Sequence, residues 1–303
     1  MDGRPAPLVL LGGSGLGGWI WERVTPLLEA AGHRVVTPRL RGIDGDPTPA
    51  AEVTLTSWVD DVVAALETVE TDDASGAESA GEGPDLGSPG VESAAQGPPG
   101  PEGVTIVAHS FAAFIVAGVL ARQRASTPPP ATSERISART PATSEGIPAP
   151  RTTPVRSVVM IDAVLPTPGR SWFDQQGPGA SEVMPLLAVD GATPWFTRQE
   201  IDALFPGHGL TDDDYAWMAE RVSGQPLGTY AEPAADLELT DAGFDLGYVR
   251  CLRTDPPTSH VTAESPGWRY REIDAGHWPM VTAPDETARV ILDLVQSQGL
   301  SRE

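Results

Sequence analysis

The strongest constraint on this chain is the abrupt junction at Ser110. The run Val104-Thr-Ile-Val-Ala108 is apolar and β-branched, as a buried strand requires. From Phe111 to Gln123 the sequence is apolar with helical character. Only His109 and Ser110 separate the two runs. A serine on so tight a strand-to-helix turn is pushed out at the C-terminal end of a sheet. The helix that follows aims its N-terminal amides and dipole at any negative charge developing there. The bland reading is a helix N-cap, a role serine fills equally well.

Apolar runs on both sides repeat this alternation. Strands are expected at Leu8–Leu11, His33–Thr37, Val104–Ala108, Val155–Ile161, Leu246–Leu252 and Trp268–Ile273. Helices are expected over 19–31, 54–69, 111–123 and 284–297, with Pro26 able to shift the start of the first and Thr56 or Ser57 capping the second. Strands alternating with helices predict an α/β fold, a mostly parallel sheet covered on both faces. The core is expected in residues 1–163 and 241–303. Residues 164–240 break the alternation and hold Trp172, Phe173, Trp195, Phe196, Phe205, Tyr215 and Trp217. They read as a helical cap whose aromatic groups either pack its own small core or line a pocket. Residues 71–103, with eight Gly and five Pro, and residues 124–154, rich in Ser, Thr and Pro, are low-complexity surface loops. The second contains a short repeat, Pro130-Ala-Thr-Ser-Glu-Arg-Ile and Pro141-Ala-Thr-Ser-Glu-Gly-Ile, too brief to stack as a repeat architecture.

Composition removes several function classes. With 20 basic and 42 acidic residues the formal charge is −22, which disfavours nucleic acid and anionic membranes. Every basic residue is Arg, so a lysine Schiff base, a lysine general base and a P-loop lysine are all excluded. Cys251 is the sole cysteine, so no intrachain disulfide forms, and in its apolar run it reads as a packed core thiol. The five histidines are scattered and offer no metal-ligand spacing. Leu8–Leu11 is too short for a signal peptide and no run reaches transmembrane length, which leads to an expected cytoplasmic location. No cofactor is implied. The expected partner is a small-molecule substrate, with no nucleic acid and no membrane, and a homodimer is one assembly compatible with the sequence.

Two further motifs accompany Ser110. The loop Gly12-Gly-Ser14-Gly-Leu-Gly-Gly18 follows the first strand. Its spacing does not match the dinucleotide fingerprint G-x-G-x-x-G with a helix opening at once. Near the C-terminus, Gly276-His277 precedes Pro284 and the last helix. With Ser110 these motifs resemble the α/β-hydrolase fold superfamily. Ala108-His-Ser110-Phe-Ala112 stands where that family has its nucleophile elbow Gly-x-Ser-x-Gly, with small alanines in place of both glycines. Gly12 stands where the family usually has His. The resemblance is nearest to small esterases, salicylate-esterase-like proteins and hydroxynitrile lyases. It rests on Gly17-Gly-Trp19-Ile-Trp21, Ser110-Phe111, Asp162-Ala-Val-Leu-Pro166, Tyr248-Val-Arg-Cys251 and Gly276-His277.

The resemblance implies Ser110 as nucleophile and His277 as its base. It implies the backbone amides of Ser14 and Phe111 as the oxyanion hole. The third member is expected to be Asp255, past the strand that ends near Leu252 but with one extra residue before it. The alternative is Asp162, at the end of the Val158–Ile161 run. An aspartate there would fix the imidazole tautomer and stabilise the imidazolium. The implied activity is hydrolysis of a small, partly apolar carboxylic ester. Two other readings use the same scaffold: a non-hydrolytic enzyme, such as a cyanohydrin lyase or a cyclase or rearrangement catalyst of secondary metabolism, and a ligand-binding protein without catalysis.

Overall fold

The computed structural model describes residues 5–75, 103–126 and 153–296. Apart from their edges, the stretches 71–103 and 124–154 lie outside those residues, as does the short repeat. The chain opens with β1 (Leu8–Leu11), a 3-10 turn at Gly18–Trp21, α1 (Thr25–Ala30), β2 (Val35–Val36), α2 (Leu55–Ser75), β3 (Val104–His109), α3 (Ala112–Ser126) and β4 (Val155–Ile161). Residues 164–240 follow, with α4 (Trp172–Gln176), α5 (Pro178–Leu187), β5 (Ala192–Thr193), α6 (Arg198–Leu204), α7 (Asp212–Ala219), β6 (Gln225–Pro226) and α8 (Leu227–Ala231). The chain then returns to the sheet as β7 (Asp245–Cys251) and β8 (Trp268–Ile273), and ends in α9 (Pro279–Thr282) and α10 (Pro284–Gln296).

Six strands form one parallel sheet in the order β2-β1-β3-β4-β7-β8. Successive residues of a strand point to opposite faces, and both faces are buried here. Val9, Leu11, Ile106, Ala108, Val158 and Met160 pack on one side with α2 and α3. Leu8, Leu10, Val107, Val159 and Ile161 pack on the other with α1, α9 and α10. Each fully buried Leu, Ile or Val contributes about 1.5–3 kcal/mol, so this double core dominates stability. α3 lies between the sheet and α2, which explains why it is apolar on nearly every side. A Cβ at Gly118 would sit 2.4 Å from Val59 Cγ2, so the missing side chain is what lets α2 approach.

The first expected helix is broken. Pro26 sits in the opening turn of α1, where its missing N–H costs nothing, and residues 18–21 form a separate 3-10 turn. The cap of α2 is Thr54, not Thr56 or Ser57. Thr54 Oγ1 accepts from the Ser57 amide and Ser57 Oγ accepts from the Thr54 amide, so the cap lies two residues before Thr56. Between β4 and β7, short helices are fixed by three reciprocal capping boxes: Ser171 with Asp174, Thr197 with Glu200, and Thr211 with Asp214. Five- to eight-residue helices need such caps, since propagation alone cannot offset nucleation. Among the described residues no helix is long and apolar enough to cross a membrane.

The strand order reverses between β1 and β3. The chain leaves β1 towards β2, then leaves β3 in the other direction towards β4. Loops at the C-terminal ends of β1 and β3 therefore part and leave a crevice, the usual ligand site of an open α/β sheet.

Candidate active site

Ser110 follows the last residue of β3 and holds φ at +54°. Its amide donates to Ile161 O at 3.2 Å, and its carbonyl accepts from Val164 and Ala113. The turn is thus tied to the neighbouring strand and to α3 at once. The glycine loop after β1 presses against it. A Cβ on Gly13 would lie 2.9 Å from both Ser110 Cβ and His109 Nδ1, so no larger residue fits without displacing the serine. Among the described residues the backbone amides of Ser14 and Phe111 have no protein acceptor, and both residues line the same cavity.

His277 lies between β8 and α9 and is buried. Its Nε2 is 3.1 Å from Ser110 Oγ and its Nδ1 is 2.7 Å from Asp162 Oδ2. The structure brings Asp162, not Asp255, to the imidazole. The register explains why. His109 pairs with Ile161 across β3 and β4, so Ser110 and Asp162 leave adjacent strands side by side. Ile161 in turn pairs with Val249, and Asp255 comes six residues after that level, where it is exposed. Three residues past the end of β7, the buried Thr254 faces inward instead, and its hydroxyl donates to Asp162 Oδ2 at 2.7 Å.

Asp162 is almost fully buried. Burial pushes its carboxyl up, but the hydrogen bond and charge of His277 and the hydrogen bond from Thr254 outweigh this and leave it below the ordinary carboxylate range. Its Oδ1 accepts from Thr258 Oγ1 at 3.3 Å and more distantly from the Cys251 amide at 3.4 Å. Thr258 Oγ1 also lies 3.1 Å from the hydroxyl of Tyr248, which donates to Ala163 O at 3.0 Å. A carboxylate held on this many donors stays ionised and accepts from His277 Nδ1–H. That fixes the tautomer and leaves Nε2 free to accept from Ser110.

The other histidines are placed elsewhere. His109 is buried, and its Nε2 donates to His277 O at 2.7 Å, tethering the loop that carries His277. Burial, and then the charge of His277, lower its pKa to about 3, so it is neutral. His33 bonds Ala6 O, His208 bonds Asp202, and His260 is exposed. Cys251 is a buried thiol at the end of β7, pushed well up by burial. No group of His, Cys, Asp and Glu among the described residues could hold a metal ion.

Ser110 and His277 open into a cavity of about 400 Å³ between the sheet and residues 164–240. Its walls are mainly apolar and aromatic, among them Trp172, Trp195, Phe196, Phe205, Tyr230 and Trp278. The cap therefore both packs internally, as in the Phe196–Phe205 contact at 5.4 Å, and supplies the site with a wall. A wider, open cavity of about 630 Å³ shares Val164, Gln176 and Thr258 with it but contains none of the hydrogen-bonded Ser110, His277 and Asp162. Ser110 and His277 line the smaller one.

Residues 8–290 match the alpha/beta hydrolase family. The chain belongs to that family. A carbendazim hydrolyzing esterase from Nocardioides sp. (strain SG-4G) is 24% identical over 298 residues, covering 95% of this chain and 99% of that protein. Among solved structures, an extracellular alpha/beta-hydrolase from a Paenibacillus species superposes with a TM-score of 0.65 at 15% identity, covering 96% of this chain and 99% of that one. That hydrolase is described as sharing structural and functional homology with tobacco salicylic acid binding protein 2. A pyrethroid hydrolase from Sphingobium faniae JZ-2 superposes with a TM-score of 0.58 at 18% identity, covering 97% and 98%. The α/β-hydrolase fold and its kinship with small esterases, expected from the motifs, both hold.

The motifs did not single out Thr254, Thr258 and Tyr230, and they named Tyr248 within the run Tyr248–Cys251 without a role. Their roles depend on which hydroxyl faces which strand end, and no local pattern encodes that.

Proposed function

We propose that this α/β-hydrolase is a carboxylic-ester hydrolase acting on small, neutral, largely apolar esters through an acyl-enzyme on Ser110. The observation that carries this reading is the continuous chain Ser110 Oγ–His277 Nε2, 3.1 Å, and His277 Nδ1–Asp162 Oδ2, 2.7 Å. His277 takes the Ser110 proton as Oγ attacks the carbonyl carbon. The carbonyl π pair moves to oxygen, and the oxyanion is received by the Ser14 and Phe111 amides at the crevice. His277 then gives its proton to the departing alkoxide, which breaks the ester bond. Water, activated by the same imidazole, releases the acid and restores Ser110. Asp162 stays ionised throughout and stabilises the imidazolium.

The aromatic walls favour a flat or apolar substrate body. Ser110 is preorganised for attack by its positive φ and its exposure to the cavity, which supports covalent catalysis over a merely acid–base role. The relatives named as an esterase and a hydrolase point the same way.

The test is turnover of p-nitrophenyl butyrate combined with fluorophosphonate labelling and peptide mapping, on wild type and Ser110→Ala. The expected result is a single labelled peptide containing Ser110, with label and turnover both lost in the variant. Full turnover by Ser110→Ala would overturn the reading. Turnover of a cyanohydrin without labelling would point to lysis instead, and binding without any product to a silent ligand-binding protein.

A further inference from the structure

Ser14 offers the site more than its amide. It follows the glycines after β1 and lines the catalytic cavity with Ser110 and His277. Its Oγ lies 2.6 Å from the hydroxyl of Tyr230, which donates to it. Tyr230 comes from α8, at the end of the cap excursion, and is 4% exposed. Its ring is stacked on Trp172 at 4.2 Å and meets the edge of Phe111 at 5.0 Å, so the hydroxyl is aimed rather than mobile. Burial raises the pKa of this phenol well above its ordinary range. It therefore keeps its proton and acts as a donor to Ser14.

A serine hydroxyl that accepts from Tyr230 still has its own proton to give. Among the described residues no protein group accepts it. Accepting one hydrogen bond also polarises the O–H for donating another. The loop carrying Ser14 is held in register by neighbouring contacts from the same cap segment. The Gly15 amide donates to Gln225 Oε1 at 2.7 Å, and the Ser223 amide donates to Gly15 O at 3.0 Å. Residues 223–230 thus clamp the loop on both sides of its backbone and supply the phenol that orders its side chain.

We propose that the Ser14 hydroxyl, oriented by Tyr230, is a third hydrogen-bond donor to the oxyanion formed at Ser110. Ser14 contacts the reacting oxygen and is catalytic; Tyr230 acts through Ser14 and is a positioning residue. As the Ser110 Oγ–C bond forms and the carbonyl pair moves to oxygen, the Ser14 proton stays on Ser14 and its hydrogen bond shortens. Such a donor binds the tetrahedral state more strongly than the planar ester, so its loss lowers kcat more than it raises KM.

This rests on the ester-hydrolase reading, and the test keeps the two apart. The experiment measures kcat, KM and phenylboronic acid inhibition for wild type, Ser14→Ala, Ser14→Thr, Tyr230→Phe and Ser14→Ala/Tyr230→Phe, with Ser110→Ala as reference. Ser14→Ala is expected to lower kcat roughly 10- to 100-fold. KM should stay within about twofold, with boronate affinity falling in parallel with kcat/KM. Ser14→Thr, which keeps the hydroxyl, should recover most of the loss. Tyr230→Phe should cost several-fold alone and nothing further once Ser14 is alanine. The proposal is overturned if Ser14→Ala keeps wild-type kcat and boronate affinity, or if Tyr230→Phe costs as much in the Ser14→Ala background as alone. A dead Ser110→Ala beside a normal Ser14→Ala would remove this inference and leave the hydrolase reading standing. Full turnover by Ser110→Ala would remove both.

Discussion

At the scale of single residues, two consecutive strand ends carry unusual backbone. Ser110 holds φ at +54° and Asp162 at +42°. A non-glycine residue in the left-handed region costs on the order of 1 kcal/mol, and it persists only where surrounding contacts impose it. Here the Ser110 and Asp162 amides are bonded to Ile161 O and Val249 O, so the sheet itself enforces both turns. The side chains then emerge together, with His277 between them. Asp162→Asn should leave the fold intact but stabilise the wrong imidazole tautomer, lowering kcat by about 10³- to 10⁴-fold. Asp255→Asn should leave kcat within about twofold, because an exposed carboxylate outside this network has little effect on the chemistry. Steady-state kinetics of the two variants with one chromogenic ester decide the matter. A crippled Asp255→Asn beside an active Asp162→Asn would return the third position to β7. The sequence offered both acids because each follows an apolar run. Choosing between them requires the β3–β4 register, which is a non-local property.

At the scale of elements, the six strands were largely legible. Val155–Ile161, buried at all but one position, and the edge strand Trp268–Ile273, which alternates aromatic and charged residues from Trp268 to Arg271, appear with the expected bounds. The elements that shifted did so through short-range chemistry that competes with periodicity. Pro26 begins a helix more readily than it continues one, and Thr54 with Ser57 forms a reciprocal cap that Thr56 cannot form. The α2–α3 contact depends on a single missing side chain. Gly118→Val would place its Cβ about 2.4 Å from Val59 Cγ2 and force the helices apart. Such overpacking typically costs about 1–3 kcal/mol, set against the better helix propensity of valine over glycine. Urea denaturation should show a lower midpoint for Gly118→Val and partial recovery on adding Val59→Ala. Equal midpoints for the single variant and the wild type would mean that the helices slide apart without penalty, and the close approach would not matter to stability.

At the scale of the whole molecule, strand order, cap and charge combine to define what reaches Ser110. The reversal between β1 and β3 places the glycine loop against Ser110. The excursion between β4 and β7 roofs the resulting crevice with aromatic groups and anchors the glycine loop through Gln225 and Tyr230. A sequence reader sees the aromatic richness of 164–240 but not which ring reaches which loop, since Tyr230 and Ser14 are 216 positions apart. Charge acts over a longer range. The whole chain carries a formal charge of −22, and Glu200 lines the cavity itself. Like charge lowers the local concentration of an anionic substrate, and salt screens the effect with a Debye length of about 8 Å at physiological ionic strength. Neutral and anionic esters of equal size should therefore diverge. For a neutral p-nitrophenyl ester, kcat/KM should stay constant as sodium chloride rises from about 20 to 500 mM, where the Debye length shrinks several-fold. For an ester of similar size carrying a distal carboxylate, kcat/KM should be lower at the start and rise several-fold across the same range. An anionic ester that is faster at low salt would show a local cationic field strong enough to override the net charge.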